Sequence, residues 1–333
     1  MIFSLFGLSI CNAIWFAVNT KQNHRILEQP SNTTGEIYEK PPIVEDTTPY
    51  PNRAPSAGYK MLVLVDRDVT IKEYYAFIDS MATAHIPPAD SALKEYILVQ
   101  NNPWIIDTLV SLDYYERKRR GEHIQDQKEM VAIHKGSILL IPSQSTTDSI
   151  KDMLAHTVID VNIPEFKLRI LVNGVAKYTF PVRVGQNKRK YLAMAGREVS
   201  LKTPIGEGEI IRIVRDPLFI NPADNHRYYT TGRDDKVRTE LPLIPWLEPT
   251  IDGRRQGSLI HPTTNEATLG KSYSNACVGT PEGAAWITYY YAPLGTKVRF
   301  RYDLKVVNEV GDTIILEDVY HLQKDNLPLS MVR

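Results

Sequence analysis

The chain has 333 residues, 43% of them apolar, enough for two modest domains with their own cores and connecting segments. Lysine plus arginine equals aspartate plus glutamate at 39 each, so the net charge is zero. The one basic run, Arg117–Arg120, fits a solvated helix end, and nothing points to nucleic acid.

In chain order, Met1 to Val18 is an apolar run without charge, which reads as an export signal or membrane anchor over residues 1–20. It lacks the basic segment expected ahead of a signal. Cys11 follows Ile10 where a lipoprotein cysteine would follow a small residue, so a buried leader position is the better reading. Residues 21–57, rich in Pro, Thr and Asn without apolar periodicity, read as a linker.

Order is expected from Tyr59. Met61–Val65 reads as a strand, and Thr70 with Glu73 forms a capping box opening a helix with Ile71, Tyr74, Tyr75, Ile78 and Met81 on its apolar face. Leu93, Tyr96 and Ile97 mark a second amphipathic segment. Asn102-Pro103 reads as an N-cap and first-turn pair ahead of Ile105, Ile106, Leu109 and Leu112, and Lys135–Pro142 as a strand ended by proline. This order resembles a LysM glycan-binding module from roughly Tyr59 to Ser143, with helical insertions around Ala84–Leu93 and Asp113–Val131. An unrelated small α+β module is the alternative.

From Thr157 the pattern turns to β. Phe166, Leu168, Ile170 and Val172 alternate, Asn173-Gly174 supplies a type I′ turn, and Tyr178, Phe180 and Val182 return. Glu209–Val214 and Lys297–Tyr302 are further strands, and Pro281–Tyr291 is a helix stopped before Pro293. These elements describe a mainly β sandwich with one short helix, and Tyr289–Tyr291 is expected to pack that helix end on it. The polar stretch Asp216–Gly257 reads as a lid-like insertion forming one wall of the substrate cleft, so that deleting Thr231–Arg238 is expected to impair turnover while leaving the fold intact. Val306–Leu316 is a terminal hairpin turning at Gly311-Asp312.

The chemistry concentrates at Gly257–Gly283. Cys277 is the only cysteine outside the leader, and His261 lies sixteen positions before it. If the leader is removed, the thiol has no intramolecular disulfide partner, leaving it either buried and inert or free and reactive. Thr280 suits an N-cap, Pro281 the first helical position and Glu282 the first turn, which would set Cys277 beside a helix N-terminus that favours thiolate. An imidazole nearby would complete a Cys/His nucleophile, with backbone N–H groups at Ala276 and Cys277 as oxyanion donors. One cysteine and no second histidine at ligand spacing make a poor zinc site, and no cofactor is implied.

Val184-Gly185, Thr203-Pro-Ile-Gly206 followed by Glu209-Ile-Ile, Leu259-Ile-His261, Leu269-Gly270, Ser274-x-x-Cys277 and Leu294-Gly-Thr-x-Val298 fall in one order between Ile159 and Tyr302. That order resembles an L,D-transpeptidase catalytic domain of the YkuD type. The resemblance implies a β-sandwich acting on peptidoglycan stem peptides: Cys277 as nucleophile, His261 as general base, and Ser274 supporting the loop or substrate. The thioester formed with release of D-Ala would pass to an amine; water as acceptor, or a non-catalytic wall-binding protein, are the alternatives. Four departures stand out. Asn275 replaces the family's histidine two before the cysteine, leaving His261 as the imidazole. Ala276 replaces a glycine, so the loop is expected to follow a conformation that a Cβ tolerates. Gly279 replaces an arginine that could anchor the loop or a substrate carboxylate, and Pro262 follows the base where glycine is usual.

The expected organisation is therefore a leader (1–20), a linker (21–57), a LysM-like α+β module (58–145), the catalytic domain (155–303) and a C-terminal hairpin extension (304–333). Stem peptides, glycan strands and, through an uncleaved leader, the membrane are the expected partners, in the periplasm or cell envelope.

Overall fold

The structure, a computed structural model, describes residues 58–192, 197–220, 227–308 and 310–323. The leader and linker readings lie outside the described residues. Among the described residues no helix is long and apolar enough to cross a membrane.

The first part of the chain forms strands β1 (Tyr59–Leu64) and β2 (Val69–Thr70), then helices α1 (Ile71–His85), α2 (Lys94–Gln100), α3 (Trp104–Ser111) and α4 (Tyr114–Arg119). Strands β3 (Val131–Ile133) and β4 (Ile138–Pro142) follow; β1 pairs antiparallel with β4, and β2 with β3. The Thr70–Glu73 capping box opens α1 as the sequence implies, burying Ile71, Tyr74 and Ile78. Asn102 does not cap α3. Pro103 holds that position, while the Asn102 amide donates to Leu140 O (2.9 Å) and accepts from Leu140 N (2.8 Å). The side-chain amide mimics a peptide group and satisfies both the N–H and the C=O of Leu140. Helix α5 (Gln144–Ala155), capped by Ser143, was hidden from the pattern by its polar first half.

The remaining chain gives β5 (Thr157–Asn162), β6 (Lys167–Val172), β7 (Val175–Pro181), β8 (Val184–Gly185), β9 (Arg189–Leu192), β10 (Arg197–Ser200) and β11 (Gly206–Val214). Then come β12 (Phe219–Ile220), β13 (Arg227–Tyr228), β14 (Thr230–Gly232), β15 (Arg238–Glu240), β16 (Trp246–Pro249), β17 (Ile260–Pro262), β18 (Ser272–Ser274) and β19 (Val278–Thr280). Helix α6 (Glu282–Tyr291), β20 (Lys297–Arg301), β21 (Lys305–Val307) and β22 (Thr313–Ile315) complete it. The β5–β6–β7 meander forms as expected, with Asn173 and Gly174 both at positive φ (51° and 77°), as a type I′ turn requires.

The main sheet runs β19-β17-β16-β11-β20-β5-β6-β7. Strand β11 serves both halves: Gly206–Glu209 pair with β20, and beyond a bulge Ile210–Val214 pair with β16. A strand that changes partners across a bulge is how a sandwich turns its corner. Ile159, Val161, Leu168, Ile170, Leu247, Ile260, Val278, Val298 and Phe300 face inward, and Trp286, Tyr289, Tyr290 and Tyr291 of α6 pack on them. The fold is mainly β with one short helix after the cysteine, as the sequence implies.

The N-terminal helices share this core rather than hanging beside it. Tyr74, Ile97 and Leu109 belong to the same buried cluster as Trp286 and Tyr289. Buried Glu95 accepts hydrogen bonds from the hydroxyls of Tyr289 (2.9 Å) and Tyr290 (3.1 Å) and pairs with Arg215, whose guanidinium also meets Asp79 at 2.9 Å. At the opposite end of α6, Asp113 accepts from Gly283 N (2.8 Å), and Glu282 accepts from Tyr114 N (3.0 Å). Helices α4 and α6 thus exchange acidic caps at their N-termini.

The stretch Asp216–Gly257 is not a lid laid over a finished body. It contributes β16 to the main sheet, and Arg233 is buried between Glu282 (2.6 Å) and the faces of Tyr114 and Tyr115. Deleting Thr231–Arg238 would leave Glu282 a buried carboxylate without its cation, so that segment is structural. Residues 221–226 of the stretch lie outside the described residues.

Candidate active site

Strand β17 pairs in parallel with β19, with Ile260 opposite Val278 and His261 opposite Gly279. Side chains alternate faces along a strand and agree across a pair. Ile260 and Val278, with Leu247 of β16, therefore look into the core. The odd-numbered set, Leu259, His261, Cys277 and Gly279, shares the other face with Trp246, the cross-strand neighbour of His261 on β16. Cys277 lies two positions along the strand from the residue facing His261, a separation of about 6–7 Å along the chain. The two are brought together by register, although sixteen residues apart in sequence.

The surroundings are apolar. Cys277 is 3% exposed in a cluster with Phe219, Leu241, Trp246 and Leu259, and the His261 ring lies 5.5 Å from that of Trp246. A cleft lined by Phe219, Pro242, Trp246, Leu259, Pro262 and Thr264 reaches His261. Any thiol chemistry at Cys277 belongs to its reduced form.

His261 Nδ1 donates to Pro262 O at 2.7 Å, since a carbonyl can only accept. That bond fixes the tautomer and leaves Nε2 as the proton acceptor. Burial pushes the imidazole down to about 3, the charge of Arg183 pushes the same way, and the bond to Pro262 only partly opposes them. The ring is neutral at ordinary pH, as a general base must be before it acts.

The loop before the cysteine is built differently from the sequence expectation. Ser274 Oγ donates to Cys277 O at 2.5 Å, closing the turn, while Ser274 O accepts from Gln186 N at 3.0 Å. Ala276 adopts φ +73° in spite of its Cβ; the loop keeps the left-handed geometry that glycine would take freely, and the penalty is about 1–2 kcal/mol. Asn275 is buried beside it.

The helix-dipole expectation needs correcting. Thr280 belongs to β19 and Pro281 is the N-cap of α6, so a strand separates Cys277 from the helix. The first free N–H groups of α6 are engaged by Asp113, and the dipole's influence fades within one turn. Thiolate formation must draw on another source of positive charge.

Two contributors escaped the sequence reading. Trp246 sits in a proline-flanked stretch that reads as loop, and its three-residue run Trp246-Leu247-Glu248 carries no period-two signal. Arg183 is the second. It forms an antiparallel bridge with Gly279 (N–H···O 2.9 and 3.0 Å) and is 2% exposed. A Cβ on Gly279 would lie 2.6 Å from Arg183 Nε and 2.8 Å from its Cγ. Gly279 thus does not simply lack an arginine, because an arginine from the adjoining segment occupies its space.

Other pieces of the motif order brace this floor. Gly185 N donates to Thr203 Oγ1 (2.8 Å), and a Cβ at Gly185 would stand 2.1 Å from Leu201 O. Tyr320, from the C-terminal segment, donates to Gly185 O at 2.9 Å and accepts from Thr203 N at 3.0 Å. A second cavity, lined by Lys202, Thr203, Gln256, Ser258, Ala276 and Tyr320, opens on the cysteine loop from this side.

A two-layer β body carrying a cysteine and a tautomer-fixed histidine on one strand face defines the class of site. Residues 156–300 match the family model of the YkuD L,D-transpeptidase catalytic domain. Among solved structures, the chain is similar to an L,D-transpeptidase from Mycobacterium smegmatis (14% identity, TM-score 0.30, covering 44% of this chain and 59% of that one). It is also similar to residues 123–326 of the L,D-transpeptidase from Xylanimonas cellulosilytica (13%, TM-score 0.32, 74% and 99%). A third is the catalytic domain of the E. faecium L,D-transpeptidase (15%, TM-score 0.28, 44% and 98%). The chain spans about 59% of the length of the first of these. No curated protein matches.

Proposed function

We propose that this chain is a cysteine-dependent L,D-transpeptidase acting on peptidoglycan stem peptides. The observation that carries the reading is the bond from His261 Nδ1–H to Pro262 O, which turns a bare Nε2 toward service as a base on the face that holds Cys277. In the reduced protein, Nε2 takes the thiol proton as sulfur attacks the carbonyl after the L-centre of the third stem residue. Backbone N–H groups at Ala276 and Cys277 hold the resulting oxyanion. The C–N bond breaks, the imidazolium returns its proton to the departing D-Ala amine, and a thioester remains. An acceptor amine then attacks the thioester, giving its proton to Nε2, and the thiolate leaves and is reprotonated. Ser274 and Asn275 shape the loop.

The family match supports a peptidoglycan setting, and with it a place in the cell envelope, where the leader would export or anchor the chain. We further propose that residues 58–145 form a glycan-contacting module and 155–303 the catalytic domain, with 304–333 as an extension bracing it through Tyr320.

The test is intact-mass analysis after exposure of the reduced protein to a carbapenem. A single adduct is expected, absent from Cys277→Ala; equal labelling of that variant would refute the assignment. A second reading, a non-catalytic wall-binding protein, is favoured by the burial of Cys277. It predicts co-sedimentation with purified sacculi and no D-Ala release from tetrapeptides even under reduction. Release without transfer to an amine would indicate water as the acceptor.

A further inference from the structure

The cavity that reaches Ala276 has a volume of about 260 Å³ and lies between the segment after β10, the approach to β17 and the C-terminal segment. Ser200, Lys202, Thr203, Gln256 and Ser258 supply most of its polar groups, and Lys202 is the single charged residue in its lining. The ammonium is held in place: Nζ donates to Tyr320 O at 3.2 Å and stands 5.4 Å from the centre of the Tyr320 ring. Tyr320 is itself 2% exposed and fixed by Gly185 O and Thr203 N. Among the described residues no carboxylate lies within ion-pair distance of Lys202. A half-buried cation anchored by a carbonyl and an aromatic face has no counter-charge, and its field acts on whatever enters the cavity. The buried Ser258 Oγ in the same wall has no partner among the described residues, and the exposed side chains of Ser200 and Gln256 add donors that solvent can reach.

We propose that this cavity is a subsite for an acidic side group of the acyl-donor peptide, on the N-terminal side of the scissile bond, and that Lys202 is the residue that selects it. Charge decides which of the two reacting peptides fits. The acceptor is an amine, which in water is mostly ammonium before it reacts, and a cavity whose one charge is positive repels it. A carboxylate is drawn in, one oxygen on the Lys202 ammonium and the other within reach of the Ser200 hydroxyl and the Gln256 amide. Reach agrees with charge. Ala276 lines the cavity and adjoins Cys277, with consecutive Cα atoms about 3.8 Å apart, and an extended peptide advances about 3.3–3.6 Å per residue. With the scissile carbonyl at the sulfur, the side group of the preceding residue comes to the cavity mouth. A protein built this way prefers stems whose second residue keeps a free carboxylate over stems in which that group is an amide. The inference rests on the transpeptidase reading above.

The test compares two tetrapeptide stems that differ only at the second residue, one with its free carboxylate and one with that group as the primary amide. Turnover is read as D-Ala release by the reduced protein, and binding by calorimetry on Cys277→Ala. Both kcat/KM and affinity are expected to favour the acid about tenfold, and the preference should shrink as salt is raised. Lys202→Gln should abolish it. Gln256→Glu, at an exposed position, sets a carboxylate in the cavity and should abolish it as well, whereas Gln256→Lys should widen it. Equal handling of the two stems by the parent protein, or a preference for the amide, overturns the proposal. So does a preference for the acid that survives Gln256→Glu, or Lys202→Gln in a protein that melts normally. If the carbapenem adduct forms on Cys277 while the two stems are not distinguished, the subsite assignment alone falls. If neither adduct nor peptide binding is seen, both readings fall.

Discussion

At the scale of single residues, Ala276 and His261 each carry a measurable cost. Ala276 holds φ +73° with a Cβ, so Ala276→Gly should relieve it and stabilise the reduced protein by about 1 kcal/mol, read as a higher denaturant midpoint at unchanged slope. No gain would mean that chain entropy released by glycine offsets the strain. For His261 the folded pKa, about 3, lies below that of an unfolded histidine, about 6.5. Above pH 6.5 neither state binds the proton and the group is silent. Below it the unfolded chain takes up a proton that the native site refuses, so stability falls between pH 6.5 and 3, by up to about 1.4 kcal/mol per unit. Melting curves of His261→Gln should show a shallower acid decline over that window. The Cys277 and His261 candidates were legible in the sequence because their spacing and motif order are one-dimensional. Arg183 was not, because its contact with Gly279 exists only once two distant segments align.

At the scale of elements, the junction of α4 and α6 governs where the cysteine strand ends. Asp113 is pushed up to about 7, chiefly by burial and then by the Glu282 carboxylate, although Gly283 N and Tyr115 N stabilise its charge. A raised folded pKa means that stability from this group is full below about 3.9, the unfolded value, and is lost as pH rises through 7. Asp113→Asn removes the charge but leaves one oxygen for two N–H donors, Tyr115 and Gly283, a loss that does not vary with pH. Its deficit in melting temperature relative to the parent should shrink as pH rises from about 4 to about 8, where the parent carries the cost of a buried charge; a constant deficit would place the effect in packing. The β meander and the α1 capping box were readable because period-two alternation and a Thr-x-x-Glu pattern are local signals. Asn102 and Thr280 were misjudged for one reason. Each has a favourable local reading that a strand partner elsewhere in the chain overrides.

At the scale of the whole molecule, the N-terminal helices and the β body are one hydrophobic unit. Trp286, Tyr289 and Tyr290 are nearly inaccessible only because α1, α2 and α3 cover α6. A chain beginning at Ser143 should therefore lose its cooperative melt and bind a hydrophobic dye, although it contains every residue of the proposed site. A folded, active fragment would contradict this. Glu95→Leu in the full chain should cost several kcal/mol: it leaves Arg215 with Asp79 as its one carboxylate and removes the acceptor for Tyr289 and Tyr290, and two-state urea melts can measure it. The sequence suggested two units joined by a boundary near residue 150, because composition changes there. Composition does not report which apolar faces meet.

The shared space of Arg183 and Gly279 has an evolutionary consequence. The two positions hold one side chain between them, so substitutions there obey sign epistasis. Any side chain gained at 279 is harmful while Arg183 stands and tolerable once it is lost. In a library randomised at both positions, survivors should be anticorrelated in size, tracing a narrow ridge between two ways of placing one cation against the same histidine.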